Sequence, residues 1–312
     1  MKKKISMAVI ICLYCLRPFA QDSTDVMQLL EQDSKKVDYT YATFKSTRLI
    51  SGHSVENLGK GVLDFRILHR FAPVNRGLYD FFGFDYASMR MGFDYGFCKN
   101  FMAGIGHSTW QKTYDAFFKI KLLRQSTGAI RMPVSLSYIP TIAIRTEKAK
   151  LDTSMNRILP GFNDRTSYTH QLIIGRKFSN KFSLQLMPIY ISHHNNIDSI
   201  NTYTKDKGNI LKGQKRKSTV ALGAGGRLKV SKRVSVNLEY YYQLPDSKPS
   251  NRYNSVSFGV DIETGGHVFQ LHFTNSNGMT EKSFISDTDD KWKNGAIRFG
   301  FNLSRVFHTG KH

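Results

Sequence analysis

The chain has 312 residues, more than most single domains, with 12% aromatic residues and 24 glycines, which is ample material for a core or a barrel. Residues 1–20 have a secretory layout: Lys2, Lys3 and Lys4, an apolar run over 5–16, then Pro18, Phe19 and Ala20. That run is too short to span a bilayer, and no later stretch is long and apolar enough to be a membrane helix. Cleavage after residue 20 removes Cys12 and Cys15, leaves Cys98 alone and so excludes an intramolecular disulfide. It also removes four cations and no acid, lowering the formal charge from +21 to +17. For an exported chain, such a balance points to anionic lipid headgroups and lipopolysaccharide as partners rather than to nucleic acid.

After the leader, residues 21–60 read as a short periplasmic N-terminal segment. Residues 21–38 are polar with Val26, Leu29 and Leu30 at helical spacing, and 39–50 could add one strand. From Gly61 the pattern changes to period two. In GVLDFRILHRF, Leu63, Phe65, Ile67 and Phe71 share one face while Asp64, Arg66 and Arg70 share the other. YASMRMGFDYG and TYDAFFKIKLL repeat the split, with Arg90, Asp94, Asp115, Lys119 and Lys121 on the polar parity. Further strands are read in MPVSLSYIPTIAI, where Pro140 predicts a bulge or an interrupted ladder, and in SYTHQLIIGRKF, FSLQLMPIYIS, KSTVALGAGGRLKV, VSVNLEYYYQ, YNSVSFGVDIE, HVFQLHFTN and GAIRFGFNLSRVF.

Two architectures fit such strands: a soluble antiparallel sheet with its apolar face in a core, or a membrane barrel with its apolar face in lipid. The connections decide. Short ones at 96–100, 124–130, 179–181, 231–233 and 264–266 alternate with long ones at 72–85, 145–166, 193–216, 244–252 and 276–293, and only the region of Gln111 breaks the pattern. Short periplasmic turns alternating with long outer loops belong to an outer-membrane barrel. The expected fold is therefore all-β: an antiparallel transmembrane β-barrel of about twelve strands over 61–312, with both termini in the periplasm.

Four blocks, ATFKSTRLISGHSVENLGKGVLDFRILHRF, NRGLYDFFGFDYASMRMGFDYG, MAGIGHST and KTYDAFFKIKLLRQ, resemble a family of Bacteroidota β-barrel proteins known only as a domain of unknown function. The resemblance is close over about 42–125 and implies an envelope barrel. It assigns no chemistry to any residue.

Turning the polar parity inward gives the cations Arg66, Arg70, Arg90, Lys119, Lys121, Arg145, Lys177, Arg227, Lys229 and Arg298 and the acids Asp64, Asp94, Asp115, Glu239 and Asp261. Ten against five makes a basic lumen. It reads either as a passive channel or binding barrel for small anionic solutes, or as a narrow barrel filled by paired charges, Asp64 with Arg66 and Arg90 with Asp94. The second role is a non-conducting structural or accessory barrel docking a periplasmic or surface partner. Catalysis comes third, as an outer-membrane lipid hydrolase: His107 and Ser108 are adjacent on a strand and point to opposite faces, and His272 or His69 would have to serve instead. His193 and His194 open a polar loop followed by a basic run over 205–217 and lack identifiable co-ligands. No metal or cofactor is expected. GAGGRL lacks the strand-to-helix context of a nucleotide site and reads as small residues making room inside a strand.

Overall fold

A computed structural model of the chain describes residues 36–147, 150–151, 157–158, 162–196, 216–248, 251–264 and 267–309. The expected leader, residues 21–35, His194's side chain, the basic run up to 215 and the Gly265–Gly266 turn lie outside the described residues.

Twelve antiparallel strands form one closed barrel. They are β1 (Val62–Pro73), β2 (Ala87–Cys98), β3 (Phe101–Ser108), β4 (Thr113–Leu123), β5 (Ser135–Arg145), β6 (Thr166–Lys177), β7 (Phe182–Asn196), β8 (Arg216–Lys229), β9 (Val234–Gln243), β10 (Ser255–Thr264), β11 (His267–Thr274) and β12 (Arg298–His308). Each strand pairs with its sequence neighbours, and the ring closes between β12 and β1 from Val62↔His308 to Pro73↔Arg298. Full closure leaves no unpaired edge, which a lipid environment requires. At Pro140 the β4–β5 pairing passes from Phe117↔Thr141 to Ile120↔Tyr138 without a register change, while the bulge sits at Lys121/Leu123.

The barrel is apolar outside and polar inside, which decides between the two architectures. Large side chains such as Phe93, Ile105, Phe118, Leu186 and Leu238 are exposed on the outer face, whereas Ser137, Thr169, Gln185, Asn237, Ser257 and Thr274 are buried. A soluble sheet would reverse this. Exposed aromatics mark both ends of the outer band: Tyr114, Tyr168, Tyr242 and Phe273 at the long-loop end, and Phe97, Phe178, Phe182 and Phe307 at the short-turn end. Such girdles seat a barrel between two membrane interfaces. No helix among the described residues is long and apolar enough to cross a membrane.

Two segments expected outside the barrel fold into it. Val37–Tyr39 pairs with Ser126–Gly128 at the short-turn end. From Thr43 onward, part of the stretch expected as a separate periplasmic segment is buried, with Phe44, Leu49, Ile50, Val55 and Leu58 all under a tenth exposed. It doubles back as a finger: Ser54 donates its amide to Thr47, Leu49 to Gly52, and Arg48 pairs with His53. The connection after β11, expected as an outer loop, turns inward at the opposite end. Its short helix α1 (Glu281–Ser286) is buried at every position.

The finger explains the small residues of β8. A Cβ on Gly225 would strike Leu49, and one on Gly175 of β6 would strike Val55. Gly225→Val is expected to overpack this contact and to destabilise the barrel by about 1–3 kcal/mol. Heat titration of the folded electrophoretic band should show a lower midpoint, recovered when Leu49→Ala is added; failure of the second change to compensate would separate Gly225 from the finger.

Candidate functional site

The interior is built where the polar parity of the strands meets the finger. Arg66 of β1 donates to the Thr47 hydroxyl (2.9 Å), Lys119 of β4 to the Thr47 and Glu56 carbonyls (3.1 and 2.6 Å), and Gln185 of β7 to the His53 carbonyl (2.8 Å). Arg227 of β8 reaches the Ala42 and Thr43 carbonyls, Gln270 of β11 the Leu49 carbonyl (2.6 Å), and Asn302 of β12 the Ile50 carbonyl (2.9 Å). The Glu239 carboxylate of β9 accepts three amides of the fingertip, from Ile50 (2.8 Å), Ser51 (2.9 Å) and Gly52 (3.2 Å). Strands all round the ring supply these partners. Only a segment inside the barrel can meet them together.

Each inward candidate has a definite place. Asp64, Arg66, Arg70, Arg90, Asp94, Asp115, Lys119, Arg227, Glu239, Asp261 and Arg298 are buried. Lys121, Arg145, Lys177 and Lys229 are half-buried, and Lys177 donates to the Tyr41 carbonyl where the finger leaves the barrel. The expected Asp64–Arg66 pair forms at 2.6 Å. Arg90, in contrast, turns away from Asp94 and pairs with Asp115 through two hydrogen bonds. The reason is steric: a Cβ on Gly92 or Gly106 would collide with the Arg90 guanidinium, so these two glycines open its path to Asp115.

The excess of wall cations is met mostly by carbonyl oxygens. Beyond Lys119 and Arg227, Arg70 donates to the Ser51 hydroxyl (2.8 Å) and to the carbonyls of Ser276 and Gly278 in the inward loop. Arg298 pairs with Asp290 of that loop at 2.6 Å. Finger and loop meet directly through the buried Arg48–Glu281 ion pair (2.9 Å). Within the loop, burial would raise the Asp287 carboxyl, but the Lys282 ammonium bonded to it and the nearby Arg252 hold it below the usual carboxylate range.

One arc of the inner wall is apolar, which sequence reasoning missed. Phe117, Ile139, Ile173, Met187, Ile191 and Tyr241, from β4 through β7 and β9, are buried with Phe44, Leu49 and Val55 of the finger and Phe284 and Ile285 of α1 in one cluster. Tyr241 lies 5.0 Å from Phe284, ring to ring. The signal was present in IPTIAI, QLIIG and LMPIYIS, whose inward parity is apolar as well as the outward one; strands apolar on both faces are covered on both.

The histidines and serine weighed for catalysis do not converge. The Ser108 hydroxyl accepts the Trp110 amide (3.2 Å), while His107 faces out and stacks on Tyr114 at 4.3 Å. His69 stacks on Phe301 outside the barrel, and His272 is buried on β11. His193 is buried and bonded to Thr219 (2.9 Å). No cluster of three metal-ligating side chains occurs among the described residues.

The fingertip contact gives a direct expectation. A hydrogen bond to a charged group contributes about 1.5–3 kcal/mol, so Glu239→Ala should speed hydrogen exchange of the Ile50, Ser51 and Gly52 amides by at least about tenfold. Barrel-strand amides should keep their protection. Unchanged exchange at the tip would rule out Glu239 as its anchor.

Several solved structures are similar to this chain in fold. The NanC porin covers 79% of this chain and 98% of its own, at 8% identity and a TM-score of 0.46. An outer membrane channel from Pseudomonas putida F1 covers 81% and 98%, at 11% identity and 0.48. The KdgM porin covers 79% and 99%, at 9% identity and 0.43. No curated protein matches. A family model described as "Membrane bound beta barrel domain (DUF5777)" matches residues 44–307, from the finger to the end of β12. The chain belongs to this family of membrane-bound β-barrel domains of unknown function.

Proposed function

We propose that this protein is an outer-membrane barrel that does not conduct in its resting state, because its own finger and inward loop fill the lumen. The short-turn end then faces the periplasm, in keeping with the secretory leader expected at residues 1–20 and the sorting of long loops to the other end. The observation that carries the reading is the covered apolar arc: Phe117, Ile139, Ile173 and Met187 are sealed by the finger and α1. Each fully buried apolar side chain contributes about 1.5–3 kcal/mol, so an interior of this kind favours being filled over being wet. In this role the barrel acts as an accessory protein, with Val37–Tyr39 and the exposed Tyr39 and Tyr41 presented to a periplasmic partner.

A second reading rests on a different observation. Arg70, Lys119 and Arg227 bind carbonyl or hydroxyl oxygens and not carboxylates, so their charge is not neutralised by the groups they hold. If the finger leaves, these cations face the lumen and favour small anions. The barrel would then be a closed anion channel rather than an accessory protein.

Planar-bilayer recording separates the two. The intact chain is expected to insert without steady conductance; robust conductance would overturn the resting-state proposal. Deletion of residues 43–58 should leave the barrel silent if α1 alone completes the seal. Should the deletion conduct, reversal potentials under a salt gradient should show anion preference that fades with ionic strength. Arg66→Glu, Arg90→Glu and Lys119→Glu together should then shift it toward cations.

A further inference from the structure

The connection between β1 and β2 carries a dense exposed apolar group. Leu78, Tyr79, Phe81, Phe82, Phe84 and Tyr86 fall within nine residues, and Tyr79 is 95% exposed and Leu78 79%. These side chains are presented by a fixed turn. Phe81 and Phe82 adopt left-handed backbone angles (φ 47° and 54°), which bulky residues seldom take, and Gly83 follows at φ 88° where a Cβ would strike the Ala72 carbonyl. Hydrogen bonds from Phe82 to Gly77 (2.7 Å) and from Phe84 to Phe81 (3.1 Å) close the turn. Backbone held in this way, with its rings left uncovered, calls for a partner that takes apolar groups.

The position of the turn names that partner. Phe84 lies 4.7 Å from Phe71 and 5.9 Å from Phe299, ring to ring, and Phe71 and Phe299 belong to the outward parity of β1 and β12. The turn therefore rests on the outside of the wall, and its rings continue the lipid-facing band beyond the long-loop end of these strands. Cations border it. Arg76 pairs with Asp80 at 2.9 Å and lies over the Tyr86 ring at 5.1 Å, while exposed Lys293 precedes Asn294, whose carbonyl accepts a hydrogen bond from Asn75 (3.1 Å) just before the turn. Rings beside lysine and arginine match the boundary between acyl chains and phosphate-bearing headgroups.

We infer that residues 78–86 are a membrane anchor, seated in the headgroup and upper acyl region of the leaflet at the long-loop end and raising the apolar band on the β12–β1–β2 side of the barrel. The anchor is a lipid contact independent of what the lumen does.

Single-cysteine spin labelling tests it in the full chain reconstituted in vesicles of phosphatidylethanolamine and phosphatidylglycerol. In a Cys98→Ser background, labels at Tyr79→Cys and Phe82→Cys are compared with Ile105→Cys, on the outer face of β3, and Asp289→Cys, in the solvent-exposed part of a loop. Power saturation should show both anchor sites more accessible to oxygen than to a water-soluble nickel chelate, as at Ile105. Accessibility like that of Asp289 would overturn the anchor, and shielding from both reagents would overturn it in favour of a protein interface. Because a label can perturb a ring site, Tyr79→Trp in a Trp110→Phe, Trp292→Phe background supplies a second reading. Its fluorescence should be quenched at least twofold by lipids brominated in the upper acyl chain; no quenching would count against the anchor.

Discussion

A polypeptide threaded through the inside of a barrel has no ladder to join, and each of its buried amides and carbonyls must find a partner or cost stability. The polar parity of the strands provides those partners. Lys119, Gln185, Arg227, Gln270 and Asn302 donate to finger carbonyls, and Glu239 accepts the tip amides that no carbonyl reaches. Carbonyl oxygens that point at the wall need donors, and long cationic side chains reach further than serine or threonine. A lumen lined by more cations than acids is thus a consequence of hosting backbone, before any solute is considered.

The interior is divided by chemistry as well as filled. Arg66, Arg70 and Arg90 crowd the β1–β2 side, where they meet Asp64, Asp115 and the inward loop. The β4–β7 side is apolar, with Ile139, Ile173 and Met187 against the finger and α1. Finger and loop enter from opposite ends and are joined at Arg48 and Glu281, both almost wholly buried. Breaking a buried pair by removing one partner costs about 3–5 kcal/mol because the other charge is left without compensation. Finger and loop are therefore coupled, and displacement of either is opposed by the charge it strands on the other.

The barrel was legible because its outer face obeys one rule: every second residue meets lipid, and the strands, their parity and the sorting of long connections follow from that. The finger obeys no period. ATFKSTRLISGHSVENL is largely polar, and its burial depends on side chains more than a hundred residues away, such as Gln185 and Glu239. Ion-pair identities were only partly legible, even within a strand, where Arg90 and Asp94 do not pair. Asp64 and Arg66, two residues apart on one face, were paired correctly, whereas Arg90 and Asp115 meet because Gly92 and Gly106 leave a gap that spacing alone does not display. Glycine at 175 and 225 carried the missing information, since small residues on the inward parity leave room for something to fill it.

Apolar residues on both parities of β5, β6 and β7 were the clearest trace of an occupied lumen. In a barrel, one face of a strand meets lipid and the other meets whatever the barrel contains. An inward Ile139, Ile173 or Ile191 in contact with water would forfeit the burial that each now has against its neighbours. Polar inward residues say little by themselves, because serine or glutamine suits a water-filled lumen and a backbone-filled one equally well. It is the apolar arc, small as it is, that distinguishes a barrel built around an occupant from one built around a pore.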